Sequence, residues 1–204
     1  MDYDVASLPR QRFYQIATAA IQPRPIAWIS SLSAAGVANL APFSFFTVAS
    51  LAPPVLSVTL TNRRDGGPKD TLRNLRESGE CVINIVTEGT VEAMNASCGD
   101  YPPEVSEIAV LGLATVPSRR VAPPGIAAAP VRFECRLRQT LPFGAGPGGT
   151  HVLFLDVVHI QADDDVLADG WVSPAAIASV GKLGGDGYAR TGERFDLPRP
   201  LIQP

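Results

Sequence analysis

Three hydroxyl side chains, Ser57, Thr59 and Thr61, alternate with Leu56, Val58 and Leu60 in the run "PPVLSVTLT". At a period of two, the hydroxyls share one face of a strand and the aliphatic set takes the other. Soon after, Lys69, Asp70 and Thr71 open "KDTLRNLRESG", where Leu72 and Leu75 keep helical spacing and Gly79 supplies a left-handed stop. Asp70 or Thr71 can cap this helix, and its start presents unpaired N–H groups and a positive dipole end that attract phosphate. Thr71 can add a hydroxyl donor and Lys69 a full charge. Taken alone, the same residues are an ordinary capped helix beside a surface lysine. Because the hydroxyl strand leads directly into it, one ligand can touch both. A sugar-alcohol chain ending in phosphate makes that pair of demands.

Other segments offer complementary chemistry. In "NLAPFSFFTVAS", Pro42 interrupts a strand-like run and marks an edge or bulge, where free backbone groups suit the rim of a heterocycle. Asn39 and Ser44 can assist there, and Phe43, Phe45 and Phe46 offer apolar walls or simply core. "PRPIAWISS" sets Arg24 between prolines, ahead of Trp28, Ser30 and Ser31, so Arg24 is either an anion contact or a surface arginine. His151, at a strand start behind a Gly-rich loop, reads equally as a cofactor contact or a loop-edge residue. "GAGPGG" fits GxGxxG, but the β-branched run that follows, "THVLFLDVVHI", reads as strand, so a hairpin loop replaces the dinucleotide-binding reading.

The elements needed to position these groups are mostly strands. "QRFYQIATAAI" fits a short helix or an edge strand, and "PRPIAWISSLSAAGVANLAPFSFF" reads as strand, turn, strand. "CVINIV" is an apolar strand and "TVEAMNASCG" a second short helix. Residues 100–130, rich in proline, are expected as an irregular excursion over the sheet. "VRFECRLRQTL" and "HVLFLDVVHIQA" form a hairpin, and the tail from "SVGKLGG" onward is expected to wrap the body as loop. Successive strands with two or three short helices favour an antiparallel barrel over a doubly wound sheet.

Composition narrows the function. The chain has 204 residues, 46% of them hydrophobic, with a net charge of -3 and no concentrated basic patch, which argues against nucleic acid as partner. No apolar stretch reaches the ~18 residues of a membrane span. Three cysteines, Cys81, Cys98 and Cys135, without CxxC spacing fit a reducing cytoplasm, and Cys81 and Cys135 fall in core-like strands. Two histidines with no third obvious ligand argue against a zinc site. The Asp163–Asp165 run reads as a solvated turn, and there is neither a nucleophile–base triad nor a pair of carboxylates.

Together, "PRPIAWISS", "GVANLAPFSFF", "APPVLSVTL", "KDTLRNLRESGECVIN", "GTHVLFLDVVHI" and "KLGGDGYART" resemble, in this order, the flavin reductase-like, FMN-binding split-barrel family, in its flavoprotein oxygenase/reductase-like branch. The resemblance runs from about Pro23 to Thr191. It implies one mainly β domain over 1–204, a six-stranded antiparallel Greek-key split barrel, with 1–20 an N-terminal extension and 181–204 a wrapping tail. It further implies a homodimer with FMN near the interface, NAD(P)H as co-substrate, and an oxygenase as a possible partner. By the same resemblance, Asn39, Ala41, Ser44 and Phe45 would line the isoalloxazine, with Arg24, Trp28 and Ser30 contributing from the preceding segment. Ser57 and Thr59 would meet the ribityl chain or phosphate, and Lys69, Asp70 and Thr71 the phosphate end. His151 would lie beside the nicotinamide, and Gly184, Tyr188 and Arg190 would close over the flavin. Lys182 stands where the family commonly has arginine, which keeps the charge but loses the bidentate fork. A flavin carries the hydride chemistry itself, which accounts for the missing acid–base dyad. The competing expectations are a flavin-binding carrier without nicotinamide activity and, further off, a barrel adapted to haem or a pyridoxal-type group.

Overall fold

The computed structural model describes residues 1–200; the last four residues of the expected wrapping tail lie outside the described residues. Helix α1 (Arg10–Ala20) precedes strands β1 (Ala27–Leu32), β2 (Ala38–Phe43), β3 (Phe46–Leu51) and β4 (Pro54–Thr61). Helix α2 (Asp70–Ser78), strand β5 (Glu80–Ile85), helices α3 (Val91–Ala96) and α4 (Glu107–Val110) and the short strands β6 (Thr115–Val116) and β7 (Gly125–Ile126) follow. Two long strands, β8 (Val131–Phe143) and β9 (Thr150–Ala162), make the hairpin around the glycine-rich loop. The chain closes with β10 (Leu167–Ala168), β11 (Trp171–Val172), α5 (Pro174–Ile177), β12 (Val180–Lys182) and β13 (Tyr188–Arg190).

The main sheet holds seven strands in the order β2-β1-β5-β8-β9-β4-β3, all paired antiparallel, so the expected count of six is corrected. The extra strand arises because the run 38–51 breaks at Ser44–Phe45: β2 becomes one edge of the sheet and β3 the opposite edge. The two-residue link Ser44–Phe45 joins the two edges, and the Thr59 N–H donates to the Phe45 carbonyl at 2.8 Å, extending the β3–β4 pairing to that link. Five α-helices among the described residues exceed the two or three expected, since α4 forms within the proline-rich excursion and α5 between the β8–β9 hairpin and the tail.

Two buried clusters flank β1. Ala27 and Ile29 face a core with Leu56, Val58, Leu60, Leu72 and Leu75, whereas Trp28 faces a second cluster with Leu40, Met94, Ile126 and Ala129. The excursion is therefore packed on the sheet, and it closes the second cluster with Ile126 and Ala129 fully buried. Helix α2 seats Leu72 and Leu75 in the first cluster and ends at Gly79, whose φ of 72° is the left-handed stop read from the sequence. Cys81 and Cys135 lie opposite one another on β5 and β8, fully buried, as small core residues. The tail is more ordered than expected: β12 and β13 pair, and β12 is fastened to Arg24 by a β-bridge. No helix among the described residues is long and apolar enough to cross a membrane.

Candidate functional site

Strand β4 alternates as its sequence dictates. Leu56, Val58 and Leu60 are buried, while Ser57, Thr59 and Thr61 take the other face. Thr59 and Thr61 open onto a cleft of about 320 Å³, at the small end of the roughly 300–1,000 Å³ range of ligand sites. Its other walls include Asn39, Ala41, Ser44 and Phe45 on and just after β2, Lys69, Asp70 and Thr71 at the start of α2, Ser97 to Tyr101 behind α3, and Glu107 on α4. The hydroxyl strand and the helix tip thus face a common space, and the tip is tied to β2 by a direct bond: Asn39 Nδ2 donates to Thr71 Oγ1 at 3.0 Å, with both side chains buried. A second bond, Asn74 Nδ2 to Ser31 Oγ at 3.1 Å, fixes α2 against β1.

The edge of β2 is finished at this cleft. Leu40 turns its N–H away from β1 and donates to Glu107 Oε2 at 2.9 Å. Pro42, two residues on and on the same edge, has no N–H to satisfy. Glu107 is nearly inaccessible, and burial raises its pKa above the ordinary carboxylate value, opposed by the Leu40 N–H. The cap of α2 differs from expectation. Lys69 is the N-cap residue and no side chain bonds the first turn; Asp70 instead accepts from Arg63 and Arg73. Charge at the tip is therefore Lys69 plus a two-arginine, one-carboxylate cluster, and the first-turn N–H groups carry no side-chain cap. Cys98 also lines the cleft; burial pushes its thiol pKa up, with Lys69 and Lys182 acting in the opposite sense.

Of the residues singled out from sequence, Asn39, Ala41, Ser44, Phe45, Thr59, Lys69, Asp70 and Thr71 line this one cleft. Ser57 lies one step further along β4, outside the lining, opposite Phe154 of β9. Arg24 is buried and spends its donors on carbonyls: Nη1 reaches Thr18 and Ile21 at the end of α1, and Nη2 reaches Leu183. Its Nε lies 3.4 Å from Ser44 Oγ and its guanidinium 5.9 Å from the Phe45 ring, so it positions two lining residues without lining the cleft.

Trp28 and Ser30 are core, because β1 is covered on both faces. Trp28 Nε1 donates to Ser97 Oγ at 3.0 Å, and Ser30 Oγ donates to the Pro124 carbonyl of the excursion. His151 pairs with Leu60, on the opposite face of the sheet from Thr59, and its Nδ1 is 3.3 Å from Arg76 Nη2. Burial, and then Arg76, lower its pKa. Gly184, Tyr188 and Arg190 also stand apart: Tyr188 Oη donates to Asn95 Oδ1, and Arg190 pairs with Glu88. Lys182 reaches carbonyls of its own turn, at Gly185 and Gly187, and lies 4.4 Å over the Tyr188 ring. Residues that the sequence did not single out include Tyr14, Arg63, Ser97, Tyr101 and Glu107. Only Arg63, two residues after the hydroxyl strand, carried a signal in its position.

A curled antiparallel sheet whose seam holds hydroxyls, cations and a helix tip is the architecture of a split-barrel flavoprotein. The chain belongs to the flavin reductase-like family, whose model, the flavin reductase like domain, matches residues 20–174. A protein of Halalkalibacterium halodurans is 41% identical over 198 residues, 96% of this chain and 95% of its own. Nitrilotriacetate monooxygenase component B from Bacillus cereus superposes with a TM-score of 0.91 at 31% identity, covering 97% of this chain and 98% of that one. The 2-nitrobenzoate 2-nitroreductase NbaA of Pseudomonas fluorescens superposes with a TM-score of 0.89 at 28% identity, covering 100% of this chain and 98% of that one.

The donor set fits a flavin mononucleotide. Hydroxyls of Thr59 and Thr61 suit a polyol chain, the uncapped first turn of α2 with Lys69 and Thr71 suits a phosphate, and Ala41, Ser44 and Phe45 present backbone and an aromatic wall to a ring.

Proposed function

We propose that this protein is an FMN-binding oxidoreductase that takes hydride from NADH or NADPH and passes electrons to a second flavin, to oxygen or to an organic acceptor. The supporting observation is the shared cleft of Thr59 and Thr71, which sets a hydroxyl surface beside an anion-binding helix tip that an Asn39–Thr71 hydrogen bond holds against β2. A bound flavin supplies the hydride and electron chemistry. The chain's part is to bind, orient and shield it. Lys69, Thr71 and the first-turn N–H groups of α2 hold the phosphate, Thr59 the polyol, and Asn39, Ser44 and the main chain of 41–45 the ring edge, where donors stabilise charge in the reduced state. Glu107 and Asn39 fix the β2 edge and the α2 tip, and so set the spacing between those contacts.

The protein acts as a cytoplasmic homodimer in this reading, and the likeness to a monooxygenase component B supports a partner oxygenase as electron acceptor. A second reading, a flavin carrier without nicotinamide activity, is favoured by one observation: His151, the residue assigned to nicotinamide, faces away from the cleft. Purified protein separates the two. A yellow protein that is bleached anaerobically by NADH or NADPH is the reductase; one reduced only by dithionite is the carrier. A colourless protein that takes up no FMN defeats both.

A further inference from the structure

A second cavity, of about 650 Å³, opens beside the flavin cleft and shares Tyr14, Phe45, Thr61 and Arg63 with it. Helix α1 forms one wall with Phe13 and Tyr14, both more than half exposed, and Phe45 stands between the two spaces. Arg10, Arg63 and Arg64 supply cations, and no carboxylate lines the cavity. Arg63 is committed to Asp70, but among the described residues neither Arg10 nor Arg64 is in an ion pair. Arg10 is nevertheless fixed: Nη1 donates to the Pro147 carbonyl at 2.6 Å and lies across Gly148, where a Cβ would occupy the place of the guanidinium. Gly148 has a φ of 86°, a backbone that L side chains rarely adopt, so the loop between β8 and β9 is shaped to receive that arginine and complete the wall.

We infer that this cavity is the second-substrate site and takes a planar aromatic ring carrying an anionic group. Guanidinium planes and exposed aromatic rings both stack on such a ring, and guanidinium forks pair with phosphate or carboxylate. A cation would meet Arg10 and Arg64, neither of them in an ion pair among the described residues. A neutral apolar ligand would desolvate them uncompensated, and a bare inorganic anion would leave the aromatic wall unused. The shared wall at Phe45 sets a ligand here alongside one in the cleft, as electron or hydride exchange requires. Two sources offer this chemistry, the adenosine-phosphate end of a dinucleotide and an aromatic acid that accepts electrons. The inference rests on the flavin reading for the ligand's role but not for its binding.

The test is calorimetric titration of the flavin-loaded protein, and of the protein as purified, with 2-naphthoate, neutral 2-naphthamide and 2′,5′-ADP. At least one of the two anions is expected to bind, with 2-naphthamide about tenfold weaker than 2-naphthoate, the scale of one charge-assisted contact. Arg64→Gln is expected to weaken the anions about tenfold while leaving 2-naphthamide and FMN affinity unchanged. Tighter binding of 2′,5′-ADP identifies the dinucleotide, and tighter binding of 2-naphthoate identifies the aromatic acid. Equal binding of naphthoate and naphthamide, no binding of either anion, or indifference to Arg64→Gln overturns the inference. A protein that binds these anions but takes up no flavin defeats the proposed function and leaves the pocket standing.

Discussion

Replacing Thr71 by valine tests the cradle most directly, because the side chain serves two partners. Its Oγ1 accepts from Asn39 Nδ2 at 3.0 Å, with both residues buried, and the same hydroxyl can donate to a phosphate at the α2 tip. Valine keeps the shape and removes both functions. A buried donor left without an acceptor costs about 1–3 kcal/mol, so Asn39 alone sets the expected loss of stability. At roughly 2–4 °C per kcal/mol for a chain of this size, Tm falls by about 2–12 °C, read by circular dichroism on flavin-free protein. Loss of one hydrogen bond to a charged group, about 1.5–3 kcal/mol, weakens FMN binding about 10- to 150-fold in a flavin-fluorescence titration. Riboflavin, which lacks the phosphate, isolates this contact: its affinity is expected to be the same for wild type and variant. Thr71→Ser restores both properties. A Thr71→Val protein with lowered Tm and unchanged FMN affinity refutes the cradle and reduces Thr71 to a pin between α2 and β2.

Other consequences follow from the same contacts. Burial raises the Glu107 pKa above 4.5, so the native chain retains a proton that the unfolded chain releases. That contribution is fully present below the unfolded value and is lost as pH rises through the native one. Glu107→Gln, which still accepts from Leu40, should therefore gain on wild type in urea denaturation as pH is raised from 4.5. Gly79→Ala meets no atom within 4 Å but must hold a φ of 72°, so it loses about 1–2 kcal/mol from backbone strain alone, visible as a lower urea midpoint. Leu75→Ala empties a fully buried site between α2 and the sheet and should cost about 2–5 kcal/mol in the same assay. His151→Ala should leave FMN affinity unaltered by fluorescence titration, since its ring faces Arg76 and not the cleft.

The parts of the molecule legible in the sequence are those with an uninterrupted period. Strand β4, the β8–β9 hairpin and helix α2 up to Gly79 follow from alternation, a glycine-rich loop and a left-handed stop, each a local property. The cleft-lining residues Thr59, Lys69, Asp70 and Thr71 lie on or beside those elements, whereas Asn39, Ala41, Ser44 and Phe45 lie on and just after β2, which Pro42 interrupts. Asp70 was misassigned as a cap because its partners, Arg63 and Arg73, outbid the helix N–H groups for its oxygens. Trp28 and Ser30 sat near site residues in sequence, yet their face of β1 is sealed by Pro124 and Ile126, from a segment without periodicity. Glu107 and Tyr101 were hidden in that same segment. Arg24 was opaque for another reason: one of its partners, Leu183, lies 159 residues away, and only the folded chain relates them.

The border strand β2 has a consequence for how the protein behaves in a crowd. An unpaired strand margin ordinarily invites another chain to zip onto it. Here one amide is already engaged by Glu107 and the next position is an imino acid, so an incoming strand finds neither donor available. The opening can stay permanently accessible to a small molecule while remaining a poor template for fibril growth or strand exchange.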